Sequence, residues 1–156
     1  VLLTGPPGEV VPQPTIVAVV PGAQIAFSSE RTIRSGVYGG VDVSGRNIPL
    51  VPRSLATLHL AWKAAAKTRL LASVSYTGSQ RYDNDQANTQ RRIPADATVD
   101  LKLSGTYDHF FWSVSVNNLF DAQYYDYAIA SSFTPGRFSA YPLPGRTYMV
   151  KAGATF

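Results

Sequence analysis

Arg146-Thr147-Tyr148-Met149-Val150-Lys151-Ala152-Gly153-Ala154-Thr155-Phe156 closes the chain, and its reading decides the fold. With side chains alternating along a strand, Tyr148, Val150, Ala152, Ala154 and Phe156 share one face. Thr147, Met149, Lys151, Gly153 and Thr155 share the other. One face is wholly apolar, and the other is mostly polar or very small. A soluble sheet shows such alternation too, but it rarely ends on an apolar carboxy-terminal residue. A transmembrane barrel strand, with lipid on one side and a wet lumen on the other, accounts for both features.

The same alternation runs back through the chain. Ser54 to Trp62 sets Ala56, Leu58, Leu60 and Trp62 against Leu55, Thr57, His59 and Ala61. Thr68 to Tyr82 sets Leu70, Ala72, Val74 and Tyr76 against Leu71, Ser73, Ser75 and Thr77. Ile93 to Tyr107 and Phe110 to Phe120 repeat the pattern, and Ala23 to Arg34 begins with it. Between these runs lie a loop at 35–53 rich in Gly and Pro, a short turn at 63–67 and a polar loop at 83–92. A tight turn at Asp108-His109 and a long loop from Asp121 to Gly145 follow. Residues 1–22 carry Gly5-Pro6-Pro7-Gly8, Pro12, Pro14 and Pro21-Gly22. They read as irregular structure or one poor strand at Thr15 to Val20.

The connections alternate between short and long, as transmembrane barrels alternate periplasmic turns and extracellular loops. Trp62, Tyr107, Phe110, Trp112 and Phe156 gather toward the short-turn ends. Tyr76, Tyr82, Phe120, Tyr124 and Tyr148 gather toward the long-loop ends, which predicts two aromatic girdles. The count is six strands, seven at most. Small bacterial barrels need about eight. Six are therefore an open sheet with bare edges, untenable in lipid, and the chain reads as part of a larger barrel.

Composition agrees. The 156 residues include no cysteine, so disulfides and thiolate metal sites are excluded. Charged residues are 15% and aromatics 12%, yet no run approaches the roughly 20 apolar residues of a membrane helix. The net charge of +4 is scattered, with no cluster that tracks nucleic acid.

Several short elements occur in order: Gly45-Arg46-Asn47-Ile48-Pro49-Leu50-Val51-Pro52-Arg53, Tyr76-Thr77-Gly78-Ser79-Gln80 and Val99-Asp100-Leu101. Asn117-Asn118-Leu119-Phe120-Asp121, Tyr124-Tyr125 and Tyr141-Pro142-Leu143-Pro144-Gly145-Arg146 follow, then the final strand. Together they resemble the C-terminal barrel of TonB-dependent outer-membrane receptors over roughly residues 27–156. The resemblance implies an all-β, antiparallel transmembrane segment of a barrel of about 22 strands. It implies residence in the bacterial outer membrane and no catalysis. The parent receptor is expected to import an iron-siderophore, haem or cobalamin. Implied partners are outer-membrane lipid, the plug domain of the same parent chain, the TonB energy-transducing complex, the barrel assembly machinery and the small nutrient ligand. The expected division is 1–22 as an irregular piece of upstream barrel and 23–156 as the C-terminal barrel part. A small stand-alone barrel with a structural or adhesive role is the alternative.

Candidate site residues follow. Phe133, Arg137, Phe138 and Tyr141 lie in the last loop, where exposed aromatics must fold back or bind something. Ligand capture suits these four, and interface anchoring suits Tyr124 and Tyr125. Asp83 and Asp85 offer hard oxygen ligands of the kind calcium takes, without the glycine and distal glutamate of an EF-hand, and a solvated loop tip is the plainer reading. The resemblance adds that some family members bind calcium in outer loops, and that Tyr148 and Phe156 form an assembly signal. His59 on the polar face and His109 in a turn lack metal-ligand spacing and read as ordinary polar positions. No cofactor is called for. Asp100, Lys102 and Lys151 share the polar face and suit packing inside a lumen, across strands or against a plug. Asn117 to Asp121 reads as a structural strand-end turn.

Overall fold

The computed structural model describes residues 15–20, 23–29 and 32–155, with side chains described from Thr32 onward. In chain order the strands are β1 (Thr15–Val20), β2 (Ala23–Ser29), β3 (Val37–Tyr38), β4 (Val41–Asp42), β5 (Ser54–Ala65), β6 (Thr68–Thr77) and β7 (Gln80–Arg81). They continue with β8 (Arg92–Ile93), β9 (Asp96–Tyr107), β10 (Phe110–Asn117), β11 (Tyr125–Ala130), β12 (Phe138–Pro142) and β13 (Thr147–Ala154). Seven of them form one antiparallel sheet in the order β1-β2-β5-β6-β9-β10-β13. The other six pair as the small hairpins β3–β4, β7–β8 and β11–β12 inside the long connections.

The sheet is a meander in which the short turns force β5 onto β6 and β9 onto β10, while the three long connections return the chain beside the strand it left. Asp108-His109 joins β9 to β10 in two residues, with Asp108 taking the positive φ (50°) that such a turn demands. Ala66-Lys67 joins β5 to β6; β5 runs past Trp62 to Ala65 and ends on a register shift after Lys63. The turn expected at 63–67 is thus shorter, and β5 longer, than the hydrophobic pattern suggests. Of the two readings for the start of the chain, Thr15 to Val20 is a strand, irregular between Ile16 and Ala18.

Register sorts the two faces cleanly. Leu58 lies opposite Val74, and Val74 opposite Val99. Leu60 continues through Ala72, Leu101, Val116 and Tyr148; Leu70 continues through Leu103, Val114 and Val150. The neighbouring rows on the other face run His59, Ser73, Asp100 and Leu71, Lys102, Ser115, Met149. Nothing among the described residues covers the apolar rows: Val150 is 73% exposed and Trp62 65%. Two glycines let rings lie flat on the strands. A Cβ on Gly105 would come within 2.8 Å of the Trp112 ring on the apolar face, and one on Gly153 would collide with the Phe111 ring on the polar face.

The buried core lies elsewhere. Tyr82, Ile93, Ala128 and Ala130 form it, with Leu50, Tyr125 and Ala140 packed around them. All come from the three long connections at one end of the sheet. This corrects the placement of Tyr82 in an outer girdle. The run from Thr68 leaves the sheet at Thr77, because Gly78 lies against the Ser54 backbone and its N–H donates to the Ser54 carbonyl at 2.7 Å. Tyr82 then turns inward, 3% exposed. The span from Asp121 to Gly145 is likewise no plain loop, since β11 and β12 form a hairpin within it.

Candidate functional site

The layer of folded loops is built by side chains that complete missing backbone partners. Asn84 bonds Ala130 in both directions, its amide nitrogen donating to the carbonyl and its amide oxygen accepting the N–H, each at 2.9 Å. It thus prolongs β11 as a strand would. Gln80 donates to the Asp126 carbonyl at 2.8 Å, and the Asp83 N–H to that of Ala128 at 2.9 Å. Asn88, held at φ 57°, exchanges two bonds with the Asn47 backbone across 41 residues. Leu50, at φ 58°, donates its N–H to Arg81 and packs on the core. The Gly45–Arg53 element is therefore a strap that ties the first long loop to the second.

Asp85 is the knot of the second loop. It is buried; Oδ1 accepts the N–H groups of Thr89 and Gln90 at 2.7 and 3.1 Å, and Oδ2 pairs with Arg81 at 3.3 Å. Asp83 accepts the Tyr127 hydroxyl at 3.0 Å. The two carboxylates serve separate loop contacts, and among the described residues no three acidic or imidazole groups cluster as a metal would need.

A second joint links the last two motifs. Asn118, buried at φ 50°, donates its N–H to Asp100 at 2.8 Å and exchanges two bonds with Ala122. Asp121, at φ 55°, accepts the Arg146 N–H at 2.8 Å, and the Arg146 guanidinium reaches the Leu119 carbonyl at 3.2 Å. The two ends of the 25-residue excursion are clamped where they leave and re-enter the sheet. Asn117 to Asp121 is structural, as its composition suggests.

The four residues singled out for ligand capture all sit on the β11–β12 hairpin, but they do not converge. Phe133 is at the tip and 96% exposed; Arg137 is exposed beside it, after Gly136 at φ 79°. Phe138 folds back, with ring centroids 5.4 Å from Tyr82 and 5.9 Å from Tyr125. Tyr141 lies on the other flank, 5.6 Å from Tyr127. Tyr124 and Tyr125 are not interface anchors. Tyr125 packs on the loop core, and Tyr124 lies over the polar face beside Thr98, Asp100 and Asn117. Burial, then the nearby Asp96, Asp100 and Asp126, raises the Tyr124 hydroxyl above the ordinary tyrosine value. Tyr148 stands exposed on the apolar face opposite Val116, while Phe156 lies outside the described residues.

One contact on the polar face escaped the sequence. His59 Nδ1 meets Ser73 Oγ at 2.7 Å, the two being cross-strand partners. Asp100 flanks Ser73 rather than His59 and is engaged by Asn118, so among the described residues no carboxylate orients the imidazole. A nucleophilic set needs serine, base and orienter in that order. Toward the short-turn end, a shallow concavity of about 600 Å³ is lined by Lys63, Lys67, Arg69, Lys102, Phe111 and Lys151.

Residues 22–119 match a family model described as TonB dependent receptor-like, beta-barrel. No curated protein matches. Among solved structures, the ferric-catecholate import receptor Fiu of E. coli K12 in its closed form aligns over 88% of this chain, with TM-score 0.67 and 21% identity. The siderophore receptor PiuA of Acinetobacter baumannii aligns over 86%, with TM-score 0.62 and 24% identity. The ferric yersiniabactin uptake receptor FyuA of Yersinia pestis aligns over 85%, with TM-score 0.57 and 22% identity. At these identities the likeness is one of fold. The chain spans 19%, 19% and 21% of those three proteins respectively, about a fifth of their length.

Proposed function

Because the chain belongs to the TonB-dependent receptor-like β-barrel family, whose members are outer-membrane receptors and transporters rather than enzymes, we propose that it serves as barrel wall and outer loop layer of a receptor importing an iron-siderophore or a comparable scarce nutrient. The observation that carries this reading is the pair of faces: an uncovered apolar face for lipid backs a polar face suited to a lumen. In this reading residues 23–156 are the last part of the barrel and residues 1–22 belong to its upstream wall. The plug of the parent chain fills the lumen, and the TonB complex acts on that plug to drive uptake. Tyr148 and Phe156 present the final strand to the assembly machinery. Haem and cobalamin are the other cargoes this reading admits.

In this reading the β11–β12 hairpin meets the cargo. Phe133 and Arg137 form an exposed apolar-cationic tip suited to an anionic, aromatic-bearing chelate. Tyr141 stands exposed on its flank, and Phe138 braces the hairpin against the loop core. The test uses the full receptor and a panel of ferric chelates, haem and cobalamin. Arg137→Ala and Tyr141→Ala should weaken binding of one of them with surface level unchanged. Unaltered affinity for every cargo in both variants would leave the hairpin as plain surface.

A further inference from the structure

The β11–β12 hairpin has two long edges, and they are treated differently. Ser131 donates its N–H to the Arg137 carbonyl at 2.8 Å, so these two residues form a hydrogen-bonded pair. In an antiparallel ladder bonded pairs alternate with non-bonded ones. Ile129–Ser139 and Tyr127–Tyr141 are therefore bonded pairs, whereas Ala130–Phe138 and Ala128–Ala140 turn their N–H and C=O groups outward. On the β11 edge the outward groups are engaged: Asn84 holds both those of Ala130, and the Asp83 N–H donates to the Ala128 carbonyl. On the β12 edge the N–H and C=O of Phe138 and of Ala140 have no partner among the described residues.

Free edges are normally blunted by charge, proline or a bulge. β12 carries no charged residue, and its one proline, Pro142, stands at its end. The irregularity in the hairpin lies on β11, between Tyr125 and Tyr127. Phe138-Ser139-Ala140-Tyr141 is thus an unguarded edge. Its two aromatics point to opposite faces, and both are still part exposed, Phe138 by 44% and Tyr141 by 66%. A strand laid beside β12, about 4.8 Å away, would satisfy four backbone groups and flank both rings. A small chelate lacks the repeat of donors and acceptors that two outward residues at i and i+2 present.

The occupant follows from the order of the loop layer. The first long connection is tied to the second through Asn47–Asn88 and Leu50–Arg81. The second is tied to the third through Asn84–Ala130, Gln80–Asp126 and Asp83–Ala128. Every one of these joints engages the main chain, directly or through a side-chain amide. The third connection, the hairpin, presents its open edge on the flank away from the second, and β13, the open edge of the sheet, ends the strand order on that side. We propose that β12 is extended by a strand from the next outer connection round the wall, carried by the wall strand that pairs with β13 and outside the 156 residues. The proposal rests on the reading of the chain as barrel wall. Main-chain bonds at Phe138 and Ala140 hold the added strand, and the side chains beside Phe138 and Tyr141 set its register. The outer connections then form one belt rather than separate flaps.

The experiment is amide hydrogen exchange at single-residue resolution on the full-length receptor in native outer-membrane vesicles, without added cargo. The Phe138 and Ala140 amides should exchange roughly tenfold or more slowly than in the urea-unfolded receptor, as pairing favoured by about 1.4 kcal/mol requires. Slow Ser139 and Tyr141 beside fast Phe138 and Ala140 is the signature of a bare edge and overturns the proposal. Protection at Phe138 and Ala140 that appears only on adding a ferric chelate or a second protein overturns it too, since the occupant is then external. Ala140→Pro removes an outward donor and leaves the hairpin's own ladder intact. It should quicken exchange in one stretch of the outer connection next to β13, with Ala128 and Ile129 still slow. Quickening nowhere outside residues 124–142, with Ala128 and Ile129 slow, overturns the proposal. If those two quicken as well, the proline has broken the hairpin, and the wild-type pattern at Phe138 and Ala140 decides. Slow exchange through β9, β10 and β13 with fast Phe138 and Ala140 sinks this inference alone, whereas fast exchange through those strands sinks the wall reading with it.

Discussion

The sheet and the loop layer invert each other's logic. In the sheet, seven alternating strands pair in the β-meander order, yet their large apolar side chains stand exposed. In the loop layer, strands are two to six residues long, yet Tyr82, Ile93, Ala128 and Ala130 are buried nearly as in a soluble core. The sheet takes its apolar solvent from outside, so its own core is unnecessary. The loops face water and must carry their own. A segment of outer-membrane barrel therefore holds two separable stabilities: one supplied by lipid and closure, the other local.

The sharpest way to break the comparison is to cut the loop core. Ile93→Ala should cost about 2–5 kcal/mol of loop stability. Amide exchange in residues 80–95 and 124–142 should quicken, while β9, β10 and β13 keep their protection. Equal quickening in the sheet would mean the two regions are one cooperative unit.

Next comes the lipid face. Val114→Arg, in mid-strand on the apolar face, should cost about 2–4 kcal/mol in a bilayer, and Ser115→Arg on the opposite face much less. Urea unfolding of the full receptor in liposomes measures both. Similar losses at the two neighbours contradict the face assignment.

Asp85 tests whether the second loop hangs on a single carboxylate. Asp85→Ala strands the N–H groups of Thr89 and Gln90 and frees Arg81, and hydrogen bonds to a charged group are worth about 1.5–3 kcal/mol. Protease nicking between 85 and 92 should rise. If Asp85→Ala resists proteolysis like wild type, the bonds drawn to Asp85 are not holding the loop.

What the sequence disclosed follows the same divide. Strand faces were legible from Leu58, Val74, Val114 and Val150 because a period of two needs only local information. The loop core was not. Its buried members include Ala128 and Ala130, which advertise nothing, and Asp85, Asn118 and Gln80, which look like solvated loop residues. Their partners lie 26 to 46 residues away in many cases, as with Asn118 to Pro144 and Asn84 to Ala130. Tyr82 was misplaced because Gly78 was read as strand interior rather than as the point where the strand leaves the sheet. The β11–β12 hairpin left one signal: Tyr125, Tyr127 and Ile129 alternate before Ser131-Ser132-Phe133-Thr134-Pro135-Gly136, a turn-rich tip. The His59–Ser73 contact needed the cross-strand register, which alternation alone does not fix.

The smallest expected effect is a pH dependence of the loop layer. The Tyr127 hydroxyl donates to Asp83, and that bond, with some burial and the Asp83 charge, raises its pKa above the ordinary 10.0. Burial chiefly raises Tyr82 in the same layer. A raised pKa means the fold prefers the neutral phenol. The associated stability is complete below about pH 10, where unfolded tyrosine is still protonated, and is lost as pH climbs through the raised values. The loop layer, which holds Tyr82 and Tyr127, should therefore loosen in alkali. Amide exchange in residues 80–95 and 124–142, corrected for the intrinsic pH dependence, should quicken from about pH 10 upward. Tyr127→Phe should remove part of that pH dependence at a slight cost near neutrality, because Asp83 then loses one donor. Identical alkaline profiles for wild type and Tyr127→Phe would show that the bond seen between Tyr127 and Asp83 contributes nothing to holding the hairpin down.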